Sequence, residues 1–572
     1  MPIYDLISQS LANVRKTAEP CNRNPIIQLY LLSYYCSKMP LTRKHIHEQV
    51  YFYLLLLIAI SLPLSVYTTS MFICQLATNW VLEGRFREKW NRFKSNRALQ
   101  VFLLIFALQL VGLLWSENLS YGLKLVKIKL PLLALPLIIA TSLPLDRLQV
   151  KRILLLFSFA VFVASMASVL KLVGWLPGGI EDYRDLSVFI HHTRFSLMVV
   201  LSLLISFYFL VFKRGKITKA EGIYHVIILL WFSVFLILLK SLSGIVVAGF
   251  LVFFLLLRAL LEIRDQVIRF MILVPVLMIP LLAILYFNRA VDKYYTVDEL
   301  AVEELDPYTR EGNPYVHQPE RKEIENGHYV WLYICDEELS EEWNSVSTLD
   351  YGGRTNNGSS LRTTLIRFLA SRDLRKDAAG LKQLSEEEIR AIERGTANHI
   401  YLQRFRLYPR IYEVIWEFDR YKLGYPPNGK SVLQRYLYLQ ASWSIAREHL
   451  LFGVGNGDVL QEFKNYYNAV DSPLVRKERK AVHNQYHIEL IAFGLGGLLV
   501  FLVAMVAPLY LARKQRSFLA SSFLLLLMLS MFSDFTLDIA TGAAFGGLFY
   551  SLFLFGPSFP WLKSDTSKSA DA

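Results

Sequence analysis

The sequence contains few charged residues and few cysteines. Only 19% of its 572 residues are charged, whereas 54% are hydrophobic, and the mean hydropathy is +0.34. The four cysteines lie far apart without a CxxC spacing, so neither a zinc site nor a disulfide framework is indicated. Low charge combined with high apolar content is typical of a membrane protein.

We also expect no cleavable signal peptide, because the first 48 residues are mixed and polar. The net charge of +13 could indicate a nucleic-acid partner, but most basic residues lie in short segments between apolar runs. The positive-inside rule explains that placement without nucleic acid. We therefore expect membrane lipids around the protein and an N-terminus in the cytoplasm.

Apolar runs of membrane-spanning length recur along the chain. A hydrocarbon core of about 30 Å needs roughly 20 apolar residues per helix. The pattern predicts an all-α polytopic protein with about 12 transmembrane helices. The predicted spans are residues 50–66, 67–83, 99–115, 121–141, 153–173, 194–212, 223–240, 242–258, 269–287, 486–511, 517–533 and 538–556.

The loops between these spans separate by charge. The basic loops fall on the side of the N-terminus, at residues 84–97, 146–152, 213–222, 258–269 and 512–516. The opposite loops are residues 115–120, 176–192, 241–243 and 533–538. Both termini are then cytoplasmic, and the predicted segments are 1–48 (cytoplasmic), 49–287 (spans one to nine), 288–484 (external), 485–558 (the last three spans) and 559–572 (cytoplasmic tail).

The external segment 288–484 is predicted to be a domain of its own. Residues 292–350 are acidic, whereas residues 354–480 carry most of the segment's lysines and arginines. Ser385 and Glu388 form a capping box that predicts a short helix over 384–395, and a second helix is predicted over 432–448.

The motif HNQYH, residues 483–487, lies directly before an apolar run. On a helix, His483 and His487 would share a face, which is zinc-like spacing, but Asn484 stands where the HExxH motif needs glutamate. Polar groups also occur at membrane–water interfaces without a chemical role. A histidine, with a pKa of about 6.5, is alternatively a suitable proton acceptor for a hydroxyl nucleophile.

The sequence FGVGNGD, residues 452–458, places Gly453 and Gly455 in a turn without a surrounding βαβ unit. It predicts either a simple helix stop or a turn whose N–H groups approach phosphate oxygens.

Arg194 begins an apolar span and Arg435 lies on an aromatic-rich helix. Each arginine is either an ordinary interfacial or stacked side chain or a phosphate ligand. Lys240 and Ser243 occupy the tight turn KSLSG between two spans, where small residues are needed in any case.

Together, Arg435 and its helix, FGVGNGD and HNQYHIELIAFGLGGLLVFL, following a long external loop, resemble the O-antigen ligase and polymerase family of bacterial envelope proteins. The likeness is architectural over nearly the whole chain and specific over roughly residues 431–500. It implies a ligase fold of the GT-C-like type in the bacterial inner membrane. It also implies an inverting, metal-independent glycosyltransferase without a cofactor.

The resemblance implies an undecaprenyl-diphosphate-linked glycan as donor and a lipid A core sugar or another glycan as acceptor. Carried over by residue, it makes His483 the catalytic base. Arg194 and Arg435 would bind the diphosphate, with Lys240 a substitute for the arginine of the Ser-Arg pair that many members carry. The supporting residues are Asn484, Tyr486, Gly453, Gly455 and Ser243.

Three functions remain open at this point. A ligase differs from a surface-polysaccharide polymerase only in its acceptor. A transporter of lipid-linked glycans would have charged residues buried at mid-membrane and discontinuous helices, whereas the ionisable residues here are expected at span ends. A docking protein would leave the pairing of HNQYH with FGVGNGD unexplained.

Overall fold

The chain folds almost entirely into α-helices. The computed structural model describes residues 43–177, 186–213, 217–239, 241–263, 265–297, 305–403, 408–512 and 517–555. Before the external segment the helices are α1 (Arg43–Ser61), α2 (Val66–Glu83), α3 (Phe86–Ser95), α4 (Arg97–Val111), α5 (Leu119–Thr141), α6 (Arg147–Leu172), α7 (His192–Phe212), α8 (Lys219–Leu238), α9 (Leu242–Glu262) and α10 (Gln266–Tyr295).

The following part contains a small β-hairpin and short helices, and three apolar helices then close the described chain. Their bounds are β1 (Ile324–Glu325), β2 (His328–Tyr329), α11 (Asp336–Val346), α12 (Leu361–Ser371), α13 (Ala378–Leu381), α14 (Glu386–Glu393), α15 (Tyr408–Lys422), α16 (Ser431–Glu448), α17 (Val459–Ala469), α18 (Gln485–Leu511), α19 (Phe518–Ser530) and α20 (Ala540–Leu554).

Each predicted span falls on one of these helices, which makes the chain a helical membrane protein. By length and composition, seven helices of the described part can cross a membrane. They are Arg97–Trp115, Arg147–Leu172, His192–Phe212, Lys219–Leu238, Ser243–Leu261, Gln266–Tyr295 and Gln485–Leu511. The larger count of about 12 stays a prediction.

The boundary between the first two predicted spans was wrong. The turn lies at residues 62–65 instead of 66–67, and α1 begins already at Arg43. Pro63 lacks an N–H to continue a helix, and the Ser65 hydroxyl accepts a hydrogen bond from the Thr68 N–H at 3.2 Å. Local chemistry therefore ends α1 and starts α2 earlier than hydropathy indicates.

The segment between α10 and α18 has buried apolar clusters of its own. One lies entirely within residues 330–392, around Trp343 and Phe368. The second joins α15 to Tyr294 of α10, which runs eight residues past the predicted span end at 287. The third joins α16 and α17 to the first turns of α18. The helix over Glu386–Glu393 with its Ser385–Glu388 capping box and the helix over Ser431–Glu448 are both confirmed.

Loops predicted on one side of the membrane contact one another at one end of the helix bundle. The Asp458 carboxylate accepts hydrogen bonds from the N–H groups of Glu117 and Asn118 at 2.7 and 2.8 Å. The Gln485 N–H donates to the Met531 carbonyl at 2.9 Å. Because α18 also packs along α4, and α20 along α5, this end of the bundle collects residues from distant parts of the chain.

Candidate functional site

His483 precedes helix α18 and does not belong to it. The Asn484 side chain caps the helix by accepting from the His487 N–H at 3.1 Å, and its Nδ2 donates to the Phe532 carbonyl at 3.2 Å. His487 instead points to α16, with Nδ1 2.9 Å from the Ser442 hydroxyl. The two histidines therefore do not share a helix face, because the cap falls between them.

His483 lies next to the ion pair between Arg194 and Asp534. Arg194 Nη2 lies 2.9 Å from Asp534 Oδ2, and His483 Nδ1 lies 4.0 Å from Asp534 Oδ1. The imidazole also stacks on Phe535, with ring centroids 5.2 Å apart. Within the described ranges Nε2 of His483 has no hydrogen-bond partner. At 4.0 Å the Asp534 carboxylate is within ion-pair but not hydrogen-bond distance of Nδ1, and a shortening of this contact would let it orient the imidazole as a proton acceptor with Nε2 free.

Asp534 is held in its ionised form by its neighbours. Its side chain is 8% exposed, and burial alone raises the pKa of a carboxyl group. The adjacent His483 and the positive charge of Arg194 outweigh burial, so the pKa of Asp534 lies below its ordinary value. A carboxylate that remains charged can orient the imidazole and stabilise its protonated form.

A cavity of about 410 Å³ opens beside His483. Its volume is in the range of small-ligand sites. Segments from four parts of the chain line it: α4 and α5, the turn and helix α17 after α16, the stretch leading into α18 together with the first turns of α18, and the loop before α20. The lining includes Gln109, Tyr121, Lys129, Asn456, Phe463, Lys464, Arg479, Lys480, His483, Glu489, Phe535 and Asp538.

The closed end of the cavity carries three ionisable side chains, called here the floor cluster: the buried Lys129 and Glu489 and the partly buried Asp538. Lys129 Nζ lies 3.3 Å from Glu489 Oε1 and 2.8 Å from Asp538 Oδ1. Gln485 Nε2 donates to these same two oxygens at 2.8 and 2.7 Å, and Gln109 Nε2 donates to Glu489 Oε2 at 3.3 Å. The floor cluster is thus a polar network inside an apolar bundle.

The floor cluster corrects the expectation that ionisable residues lie at span ends. Lys129 is ten residues after Leu119, the first residue of α5, which is about 15 Å along the helix axis. Its side chain is 3% exposed and that of Glu489 is 1% exposed. Charges buried at this depth in a membrane protein are functional candidates.

The open side of the cavity is basic. Lys464 and Lys480 are both exposed, and in the described part of the chain neither ammonium group has a hydrogen-bond or ion-pair partner. The guanidinium of Arg479 is already hydrogen-bonded, because it donates to the carbonyls of Leu474 and Ser472 at 2.9 and 3.2 Å. The two lysines are therefore the cations most available to an incoming anion.

The glycine turn supports the helix and does not form an anion cradle. Helix α18 is interrupted at Gly494, whose φ is 67°. There the carbonyls of Ile491 and Ala492 accept from the N–H groups of Val454 and Gly455, each at 2.9 Å. In the opposite direction, the Leu495 N–H donates a hydrogen bond to the Leu450 carbonyl at 2.8 Å. Because these N–H groups face protein carbonyls, the phosphate interpretation of the turn is not supported.

Gly453 and Gly455 allow this close contact. Both have positive φ, at 69° and 87°. A Cβ on Gly453 would lie 2.4 Å from the Ala492 backbone, and one on Gly455 would lie 2.3 Å from the Ser116 hydroxyl and 3.0 Å from the Gly112 carbonyl. Only glycine satisfies the conformation and the spacing at once.

Gly455→Ala is expected to prevent correct folding of this joint, with a stability loss well above the about 1–2 kcal/mol that a left-handed backbone alone costs a non-glycine residue. The measurement is the yield and melting temperature of detergent-purified protein. Gly424→Ala is a matched control, since Gly424 has the same φ of 87° and nothing within 4 Å of its Cβ position. Equal losses for the two variants would contradict the packing role.

The other predicted site residues lie elsewhere. Arg435 is exposed on α16 and does not line the cavity, although Tyr438, one turn later, has its ring centroid 6.2 Å from that of His483. Tyr486 donates to the Met528 carbonyl at 2.8 Å and so anchors α18 to α19. Ser243 is half-buried in α9, and Lys240 lies outside the described residues.

Asp534 and the floor cluster were missed from the sequence. The sequence of the loop 533–538 contains Asp534 and Asp538, and Lys129 interrupts an otherwise apolar run. These residues indicated a polar site. No local sequence pattern, however, shows that they pair with residues hundreds of positions away in the chain. Among the described residues, no group of three or more His, Cys, Asp or Glu side chains could hold a metal ion.

Comparison with known proteins gives no assignment: no protein-family model matches the chain, and no curated protein is significantly similar to it.

Proposed function

We propose that this protein is a glycosyltransferase of the O-antigen ligase type. It would transfer a glycan from a polyprenyl-diphosphate carrier to an acceptor sugar at the outer face of a bacterial inner membrane. The carrier's hydrocarbon stays in the bilayer while its diphosphate and sugars project into water. The reacting groups must therefore meet at the end of the membrane helices.

One observation carries the proposal: Asp534, paired with Arg194, lies 4.0 Å from His483, and His483 lines a cavity at such a helix end. The free Nε2 and the carboxylate beyond Nδ1 suit a general base. Basic side chains at the open side of the same cavity suit a diphosphate. These features support the sequence resemblance without depending on it.

The proposed reaction is a single displacement. Nε2 of His483 takes the proton of an acceptor hydroxyl while that oxygen bonds to the anomeric carbon. The bond from this carbon to the diphosphate oxygen breaks, and the diphosphate leaves with the bonding electrons, so the configuration inverts. Asp534 is a positioning residue that stabilises the imidazolium, and Arg194 holds Asp534.

We propose that neither arginine has the diphosphate-binding role that the sequence resemblance implies. Arg194 pairs with Asp534, and Arg435 is exposed outside the cavity lining. We propose that Lys464 and Lys480 make the first contacts with the donor diphosphate. An ammonium group binds phosphate as a point charge and does not need the fixed geometry of a guanidinium fork.

Replacing Lys464 and Lys480 together by glutamine is expected to raise the KM for the lipid-linked donor by about 10²- to 10⁴-fold, since each of the two charge-assisted hydrogen bonds contributes about 1.5–3 kcal/mol. The KM for the acceptor is expected to change little. Lys477→Gln is the matched control, because Lys477 is exposed in the same segment but does not line the cavity. An unchanged donor KM in the double variant would assign the diphosphate to other groups.

Ligase and polymerase activities are separated in the native host by deleting the gene and analysing the surface glycan on gels. Loss of a ligase leaves the glycan on its polyprenyl carrier and removes it from lipid A. Loss of a polymerase leaves single repeat units attached. Wild-type surface glycan in the deletion strain would count against both activities.

A transporter of lipid-linked glycans is the second candidate, and two observations favour it. Lys129 and Glu489 are buried between helices, and α18 is discontinuous at Gly494. The interruption is, however, fully paired with the glycine turn. Reconstitution in vesicles with a fluorescent polyprenyl-diphosphate sugar separates the two functions, since a transporter moves the lipid across the bilayer without an acceptor.

A further inference from the structure

We infer that the floor cluster, together with Gln109, is the subsite that receives hydroxyl groups of the acceptor sugar. The inference rests on the proposed function and names the part of the site that positions the nucleophile. Lys129, Glu489 and Asp538 lie on the lining of the same cavity as His483. A sugar held there would present a hydroxyl to the base.

The floor cluster has acceptor oxygens left over. Inside the cluster, Lys129 and Gln485 together satisfy Oε1 of Glu489 and Oδ1 of Asp538. Oδ2 of Asp538, a partly exposed side chain on the cavity lining, accepts no hydrogen bond from any described residue and is open to a ligand. Oε1 of Gln109, a fully buried side chain on the cavity lining, likewise lacks a partner in the described part. Buried oxygens without partners are costly unless a ligand or water donates to them.

The charge of the floor cluster decides which ligand class fits. The cluster offers carboxyl oxygens and a single ammonium group that is already paired with both carboxyl groups, which disfavours a phosphate. Neutral hydroxyls are the complementary donors, and vicinal hydroxyls can reach neighbouring acceptors together. Tyr121 and the face of Phe535 that is not stacked on His483 lie on the same lining and could pack against the C–H side of a sugar ring. A neutral sugar satisfies both requirements.

The cavity is therefore bipolar, with lysines at its open side and carboxylates at its closed end. A donor diphosphate at the lysines and an acceptor sugar at the floor cluster would meet beside His483. Two short segments connect the base to the subsite: His483 precedes α18 by two residues and Glu489 lies in its first turns, while Asp534 and Asp538 lie in one loop. This linkage fixes the distance between the held sugar and the base.

The test uses Asp538→Asn in the full-length protein in lipid nanodiscs. The substitution preserves volume and keeps Glu489 as an ion-pair partner of Lys129, and the melting temperature reports any stability lost with the 2.8 Å contact between Lys129 and Asp538. Binding of methyl α-glucoside and methyl α-galactoside is measured by saturation-transfer NMR. We expect at least one glycoside to bind the wild type, and to bind the variant about 10- to 100-fold more weakly because a charged acceptor is lost.

Two further variants make the outcome decisive. Glu417→Gln is the control, since Glu417 is a buried carboxylate on α15 that accepts from the Leu433 N–H and does not line the cavity. His483→Ala is expected to retain glycoside binding while losing transfer, which separates failure of the subsite from failure of the enzymatic proposal. Equal glycoside binding by Asp538→Asn and wild type, or no binding to the wild type, would overturn the inference.

Discussion

His483→Ala is expected to lower the rate of glycan transfer by about 10²- to 10⁴-fold, the range contributed by a positioned general base. The fold is expected to persist, because the imidazole is 34% exposed and its contacts are one carboxylate at 4.0 Å and the rings of Phe535 and Tyr438. Transfer is measured with purified protein and a polyprenyl-diphosphate glycan donor, and complementation of the deletion strain gives the cellular readout.

His487→Ala is the matched control for this prediction. His487 has the same chemistry and lies four residues away, but its Nδ1 faces the Ser442 hydroxyl on α16 and it does not line the cavity. We expect transfer within a few-fold of wild type, with at most a modest loss of stability. If the His483 variant transfers glycan normally while the His487 variant does not, the base has been assigned to the wrong histidine.

Asp534→Asn is expected to lower kcat by about 10²-fold or more with a small effect on either KM, because the amide no longer stabilises the imidazolium and can favour the wrong tautomer. The substitution preserves volume, so the melting temperature reports any damage to packing. Asp471→Asn serves as the control, since Asp471 is an exposed turn residue with φ of 44°, a conformation that asparagine tolerates.

A double variant separates positioning from a general structural role. If Asp534 acts through His483, combining His483→Ala with Asp534→Asn loses no more activity than His483→Ala alone. A purely structural carboxylate would instead add its own loss, and the two effects would multiply. Steady-state rates of the four proteins, wild type included, complete the cycle.

Much of the architecture could be predicted from the sequence, because the positions of the helices depend on local chemistry. Hydropathy located every apolar helix, because burial in lipid requires long apolar runs whatever their neighbours. The capping box of Ser385 and Glu388 and the helix up to Glu448 followed from contacts within a few residues. Hydropathy failed at Pro63, where backbone hydrogen bonding sets the helix end.

The candidate site could be predicted from the sequence only in part, because the roles of its residues depend on contacts between distant segments. HNQYH and FGVGNGD were visible as motifs, but their roles depend on what they contact. The helix cap at Asn484 sends His483 to Asp534 and His487 to Ser442, and the glycine turn closes onto the break in α18. Neither contact is encoded in a spacing that a single segment reveals.

The sequence by itself determined that the chain is helical and apolar and that a histidine stands at the beginning of an apolar helix. Only the tertiary structure decided which charges meet. Lys129 and Glu489 are 360 residues apart in the chain, and the pairing of Arg194 with Asp534 also joins distant helices. Such pairs form because a buried charge needs an opposite charge nearby, and helix packing alone determines which one is within reach.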